Sequence, residues 1–273
     1  MPELPEVETV KRDLIQYLPG QCIDVVRILD ARVIRGIPPK KFAEELKGKT
    51  FKDISRRGKA IICKLDDGQH LIVQLMMTGQ LVHAASLSKS PLKETKVIFE
   101  LSNGSYLNYN DQRLFGRLSL IQKLEDFKHF AILGPEPFDA SFNPKFIKES
   151  LKRRSVAVKS ALMDHTFVAG IGNIYASEIL FRSRINPRRR ANRLKSDEIK
   201  CMHKMTLEVL DEAIRYRGSS MRNYRDGQGQ KGQFNQRIKV YAREHEPCVC
   251  CHKPIIKIVQ GGRSTFFCKN CQH

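Results

Sequence analysis

The chain is 273 residues long and carries 48 Lys and Arg against 29 Asp and Glu, a formal net charge of +19 at pH 7. That length suits two or more domains with proper cores. With 41% hydrophobic and 28% charged residues, and no apolar run near the ~18 residues of a bilayer span, the membrane-spanning and disordered classes are excluded. Most of the surplus positive charge lies beyond residue 130, which points to a polyanionic partner whose counterions Lys and Arg displace. A merely soluble basic surface is the plainer alternative. No basic amphipathic helix with a clean apolar face stands out, which disfavours an anionic membrane. The start Met1-Pro2-Glu3-Leu4-Pro5-Glu6 lacks the basic and apolar stretches of a signal peptide, so a reducing compartment is expected. There, eight cysteines read as metal ligands or core thiols rather than disulfides.

In chain order, Pro5 to Leu18 reads as a helix, with Val7, Val10, Leu14 and Leu18 on one stripe and Pro5 in the opening turn. After Gly20 the pattern shifts to short β segments. Phe51 to Ala85 holds two β-rich runs around Asp66-Asp67-Gly68-Gln69, and Lys96 to Tyr109 repeats the hairpin device around Asn103-Gly104. Arg117 to Gln122 continues in the same style. The first half is therefore expected to be a helix plus antiparallel sheets forming a sandwich.

Near Leu133-Gly134-Pro135-Glu136-Pro137 the composition turns helical. Asn143-Pro144 forms a cap and first-turn pair, Gly170-Ile171-Gly172-Asn173 feeds a helix running to Phe181, and Ser196 caps a long run from Asp197 to Arg217 that stops at Gly218. From Gly218 to Gln236 the chain is rich in Gly, Ser, Gln and Arg, with little to bury, and reads as a mobile loop.

The last segment is a small module. Cys248 and Cys251, then Cys268 and Cys271, give two C-x2-C pairs at the spacing of a tetrahedral four-thiolate zinc site; a redox dithiol is the weaker reading. With four protein ligands no position stays open for hydrolysis, so this Zn2+ shapes rather than reacts. Cys250 is a bystander that could exchange as a ligand, while Cys22, Cys63 and Cys201 suit core packing. Ile255 to Val259 and Ser264 to Phe267 read as a two-stranded ribbon with Gln260-Gly261-Gly262-Arg263 at its tip, where Arg263 can reach a phosphate or stand solvated.

At the other end, removal of Met1 before a proline would leave the Pro2 ring nitrogen as a free secondary amine. Terminal amines titrate near ~8, far below Lys, so such a nitrogen is partly neutral and nucleophilic at neutral pH. Condensed with a sugar C1′ it gives an iminium that cannot lose its charge by deprotonating nitrogen, an electron sink for β-elimination. Glu3 and Glu6 stand beside it, able to move protons. An ordinary helix start, with acids complementing the helix dipole, uses the same residues.

Met1 to Thr9 closely resembles the start of bacterial formamidopyrimidine-DNA glycosylases. The resemblance continues through Arg56-Arg57-Gly58-Lys59, Met76-Met77-Thr78-Gly79, Asn110 to Gly116, Leu133 to Pro137, Gly172 to Ala176 and the terminal cysteine module. It implies an α+β multidomain protein. Residues 1–132 would be an N-terminal helix and β-sandwich catalytic domain, 133–236 a helix-two-turn-helix DNA-binding domain with a lesion loop, and 237–273 a zinc ribbon finger. It further implies that Pro2 is the nucleophile, Glu3 the proton shuttle, Glu6 a supporting acid, and Lys59 a cation near the damaged nucleotide. A stacked base must leave the duplex before Pro2 can reach C1′, and Met77, Arg113 and Phe115 match the side chains that fill the hole. Lys159, Asn173 and Arg263 match phosphate contacts. The segment from Ser219 to Phe234 matches the loop that closes over the everted base.

The implied activity is excision of oxidised purines (8-oxoguanine and formamidopyrimidines) from double-stranded DNA, with lyase cleavage of abasic sites. The protein is expected to act as a monomer in the bacterial cytoplasm, at the nucleoid. The rivals are an endonuclease VIII-like glycosylase for oxidised pyrimidines and a non-catalytic binder of damaged DNA; Leu4-Pro5 and the long Gln228-to-Phe234 loop favour the purine branch. Three sites depart from the pattern: Gln74 stands where relatives commonly have His, Lys93-Glu94-Thr95-Lys96 replaces a His-containing stretch, and Leu114 stands where some relatives carry a second Arg.

Overall fold

The computed structural model describes residues 1–87, 93–221 and 223–273. The chain divides into two compact units, one of residues 1–131 and 214–235, the other of residues 132–213 and 236–273.

The first unit opens with α1 (Leu4–Leu14). Pro5 costs nothing in a first turn whose N–H groups have no helical acceptor. Val7, Val10, Leu14 and Leu18 are all buried, each worth about 1.5–3 kcal/mol of apolar transfer. The helix stops four residues short of the expected Leu18. Gln16 and Tyr17 tighten onto the carbonyls of Asp13 and Leu14, and the resulting turn still delivers Leu18 to the core ahead of Pro19-Gly20.

The strands that follow are β1 (Ile23–Ile28), β2 (Ile34–Arg35), β3 (Phe51–Arg57), β4 (Ala60–Leu65), β5 (His70–Gln74), β6 (Gly79–Ala84), β7 (Thr95–Leu101), β8 (Tyr106–Asp111) and β9 (Arg117–Ile121), with α2 (Pro39–Leu46) between β2 and β3 and α3 (Lys128–Ala131) after β9. They build a four-stranded sheet ordered β1-β7-β8-β6 and a five-stranded sheet ordered β2-β9-β5-β4-β3. Inward residues of both, among them Ile61, Cys63 and Val73 from one and Val97, Phe99, Leu107 and Tyr109 from the other, share one core with the α1 stripe. This is the expected sandwich. Among the described residues its one departure from antiparallel pairing is β2, which runs parallel to β9 over two residues. Both hairpin signals fall where expected, between β4 and β5 and between β7 and β8.

The second unit holds α4 (Pro144–Lys152), α5 (Val158–Leu162), α6 (Asn173–Arg182) and most of α7 (Ser196–Arg215), then the ribbon of β10 (Ile256–Gln260) and β11 (Arg263–Phe267). The Asn143 Oδ1 accepts the Phe146 N–H at 3.0 Å, the cap expected of Asn143-Pro144. Gly261 and Gly262, at φ 53° and 71°, give the two-residue turn that matches strand twist, so Gln260 and Arg263 face each other at the tip. Phe181 of α6 shares an apolar cluster with Val240, Ile255, Phe266, Cys248 and Cys268, which seats the ribbon on the helix.

The segment expected to have little to bury is a correction. Ser219, Tyr224, Asp226 and Phe234 are all buried. Arg217, in a left-handed backbone at φ 60°, sends its guanidinium to Asp13 of α1 at 2.7 Å and to Asp226 at 2.6 Å. Asp13 also takes the Gly227 N–H, and Asp226 the N–H groups of Gln228 and Gln230. Two buried carboxylates sharing one cation do the work that apolar side chains would do in a typical core segment. Arg222 lies outside the described residues.

Candidate functional site

Pro2, Glu3 and Glu6 are buried together at the start of α1. Glu6, 1% exposed, reaches back so that Oε2 accepts the Glu3 N–H at 2.8 Å, the helix-start geometry expected of an acid at N3. Its Oε1 accepts the Ser219 N–H at 2.7 Å, and Tyr224 donates its hydroxyl to the Glu6 carbonyl at 3.2 Å. Burial, then the Glu6 charge, pushes the Tyr224 phenol well above its ordinary value, so it stays a proton donor. Glu6 therefore ties Glu3 to Ser219 and Tyr224. Of the two acids, Glu3 is the one standing next to Pro2 in the chain.

Lys59 is half-buried on the two-residue turn between β3 and β4. Arg56 donates to the Gly58 carbonyl at 2.9 Å and to Glu8 of α1 at 3.0 Å, so the turn is tied to the helix that carries Glu3. Burial pushes the Glu8 carboxyl up, but hydrogen bonds from Arg12, Lys11 and Arg56 hold it below its ordinary value.

Met77, Arg113 and Phe115 come together although 36 residues separate the first two. Met77 lies between β5 and β6, the other two between β8 and β9. The Arg113 guanidinium sits 4.7 Å over the Phe115 ring, and its Nη1 is 3.5 Å from the Met77 sulfur. Met77 and Phe115 are 39% and 47% exposed, and with Arg113 they form a contiguous cluster open to another molecule. Leu114, between them, turns inward onto the core at φ 57°. Of the other departures, Gln74 pairs with Ala60 and Arg117 at the end of β5, and Thr95 is buried with its hydroxyl donating to Asn110 at 2.7 Å.

In the second unit, Lys159 is 2% exposed, and its ammonium donates to the Asn173 side chain, the Ser264 carbonyl at 3.1 Å and the Thr265 hydroxyl at 2.7 Å. Asn173 Nδ2 donates to the same Ser264 carbonyl at 3.0 Å. Lys159 thus braces the ribbon onto α6, and exposed Arg263 stands one residue before the shared carbonyl.

The ligand atoms of Cys248, Cys251, Cys268 and Cys271 all lie within 4.8 Å of one another, with sulfur pairs at 3.9 and 3.5 Å. A tetrahedral zinc with ~2.3 Å bonds spaces its sulfurs ~3.8 Å apart, so the four thiols fit one structural ion. The Lys253 N–H lowers the Cys251 thiol, while burial raises those of Cys268 and Cys271. Cys250 is exposed, and Cys63 is a core thiol pushed up to about 12 by burial.

Family models match along the whole arrangement: the formamidopyrimidine-DNA glycosylase N-terminal domain over residues 1–118, the H2TH domain of the same enzymes over 133–225, and a zinc finger found in FPG and IleRS over 246–273. The chain belongs to the formamidopyrimidine-DNA glycosylase family. It is 43% identical to the formamidopyrimidine-DNA glycosylase of Pelotomaculum thermopropionicum over 274 residues and 42% to that of Desulforamulus reducens over 276, covering 100% of this chain and 99% of each relative. Among solved structures it is similar to Lactococcus lactis Fpg in complex with DNA containing an abasic site (TM-score 0.91, 36% identity, 99% of each chain) and to the Thermus thermophilus MutM (Fpg) protein (TM-score 0.88, 34% identity, 99% and 98%).

Two family-site neighbours escaped sequence reasoning. Asp111 ends β8 and bonds its own Arg113 N–H, a turn habit of Asp that the Asp111-Gln112-Arg113 stretch could have suggested. Glu178 is the one charged side chain among the buried residues of α6, a pattern that signals a paired carboxylate. It accepts the N–H groups of Lys239, Val240 and Tyr241 at 2.8, 3.0 and 3.0 Å.

Proposed function

We propose that this protein is a base excision repair enzyme that removes oxidised purines from duplex DNA and then cleaves the abasic strand. The observation that carries the reading is the buried Pro2, Glu3 and Glu6 start of α1, within a chain that matches its family from end to end. With Met1 removed, the Pro2 nitrogen attacks C1′ of the everted nucleotide while the bond from C1′ to the base breaks and the base leaves with a proton. Glu3 protonates the sugar oxygen as the ring opens, giving an iminium between C1′ and nitrogen. Loss of a C2′ proton expels the 3′ phosphate, and a second elimination expels the 5′ phosphate, leaving a gap. Glu6 acts by holding the Glu3 amide, and Lys59 supplies positive charge beside a backbone phosphate.

Met77, Arg113 and Phe115 fill the space the base vacates. Arg263 and Asn173, with the Lys159 charge behind them, meet phosphates, and the single zinc holds the ribbon in shape. We read residues 1–132, 133–236 and 237–273 as the three functional domains, and place the enzyme in the bacterial cytoplasm on the grounds of its DNA substrate and bacterial relatives. The test is incision of duplexes carrying 8-oxoguanine or thymine glycol. Faster release of 8-oxoguanine, with phosphate at both ends of the gap, is expected. Preference for thymine glycol would move the enzyme to the pyrimidine branch, and incision of neither would leave only a binder of damaged DNA.

A further inference from the structure

The three side chains that stand ready to enter DNA come from two loops that share no strand, yet they touch. Met77 sits in the loop from Leu75 to Gly79, whose ends meet through the Gly79 N–H and the Leu75 carbonyl at 2.9 Å. Arg113 and Phe115 sit in the loop after β8. One carboxylate bonds to both loops. Asp111 is fully buried. Its Oδ1 accepts the Thr78 hydroxyl from the first loop and the Arg113 N–H at 3.1 Å from the second, while Oδ2 accepts the Gly116 N–H at 2.7 Å. Thr78 Oγ1 in turn accepts the Arg113 N–H at 3.1 Å, closing a ring across the two loops.

Each loop also contains a non-glycine residue in the left-handed region, Met76 at φ 52° and Leu114 at φ 57°. L side chains disfavour that backbone, so such residues persist where surrounding bonds over-determine them. Beneath the ring lies Tyr109, and a Cβ placed on Gly116 would fall 1.5 Å from its hydroxyl, so the second loop lies directly on the core.

We infer that Asp111 is the positioning residue that holds Met77, Arg113 and Phe115 as one preassembled plug before DNA arrives. The inference rests on the proposed function, since only an enzyme that everts a base needs a plug. Its physical content is that ordering the two loops is done during folding, so that entry into the helix does not bear that entropy. A carboxylate is required, because the ring needs three donors accepted at two oxygens and an amide would turn one acceptor into a donor. Asp111 touches no substrate; it acts through Thr78, Arg113 and Gly116.

The test compares two substrates under single-turnover conditions: a duplex with a paired 8-oxoguanine, whose base must be unstacked, and one with a preformed abasic site, which has none to unstack. The variants are D111N and, because a buried substitution can unfold the loops, T78V with T78S as its conservative partner. Misplacing the plug is expected to slow release of 8-oxoguanine about 10- to 100-fold while slowing abasic-strand cleavage far less. T78S restores the wild-type ratio because the hydroxyl returns. A fluorescent base analogue placed opposite the lesion should show slower unstacking in T78V than in T78S. An unchanged ratio of the two rates in both D111N and T78V, whether both reactions slow or neither does, overturns the inference. Wild-type protein that incises neither substrate would instead overturn the proposed function, so the two failures are distinguishable.

Discussion

Glu178 gives the sharpest stability prediction. Its carboxylate is fully buried in α6 and takes three backbone N–H groups just ahead of the cysteine module. Burial pushes its carboxyl above the ordinary range in spite of those three amides, so the charge is held at a cost and the bonds are what the fold gains. Glu178→Ala strands the donors. Val240 is buried and cannot turn to water, whereas Lys239 and Tyr241 are half-buried and partly can. At about 1–3 kcal/mol for each abandoned donor, with two of them near the low end, the loss is about 3–5 kcal/mol. Glu178→Gln keeps the Oε1 acceptor for Val240 and Tyr241, loses the bond from Lys239, and sheds the buried charge, so about 1–2 kcal/mol is expected.

Because the chain has two units, a single unfolding free energy is the wrong observable. Amide hydrogen exchange at 239–241 reads the local opening, and protection there should fall about 150- to 4,000-fold in Glu178→Ala. Zinc release to a chromophoric chelator should speed up alongside. Protection within about threefold of wild type would show that water or another acceptor replaces the carboxylate, and the reasoning would fail.

Acid should loosen the α1 clasp. The Glu8 carboxyl lies below its ordinary 4.5, so its stabilising contribution is present above that value and disappears as pH falls through the folded value. Amide protection in α1 should therefore drop more from pH 7 to pH 3.5 in wild type than in Glu8→Gln, and equal drops would refute the linkage. Chelation of the zinc should abolish DNA binding while the first unit keeps its secondary structure, since all four ligands lie in the second; retained binding by metal-free protein would contradict this. Log affinity for duplex DNA should fall against log salt by ~0.9 for each neutralised phosphate, and Arg263→Ala should flatten the slope by about one such step. An unaltered slope would remove Arg263 from the phosphate grip.

Local chemistry was legible in the sequence, and long-range carboxylate bonding was not. The zinc ligands could be read because C-x2-C places both sulfurs of a pair on one turn, whatever the rest of the chain does. The α1 stripe was legible for the same reason, although Leu18 extends the stripe past the end of the helix, so periodicity overran the true stop at Leu14. The 218–236 segment was misread because its composition lacks apolar residues, while what fastens it is Arg217 between Asp13 and Asp226. Those partners lie up to 204 positions apart, beyond any window of sequence pattern. Asp111 and Glu178 were missed likewise, as an acid reveals its role only when its donors are known. The cluster of Met77, Arg113 and Phe115 was legible only through resemblance, since nothing in the local pattern separates an exposed Met or Phe from a buried one.

The central claim is that the imino nitrogen of Pro2 becomes bonded to the deoxyribose of the damaged nucleotide. Borohydride reduction during reaction with an 8-oxoguanine duplex, followed by mass spectrometry of the cross-linked peptide, tests it directly. The account predicts a covalent adduct on an amino-terminal peptide that begins at Pro2, and none from Pro2→Gly. A sugar attached to Lys59 or to any other side chain would contradict it.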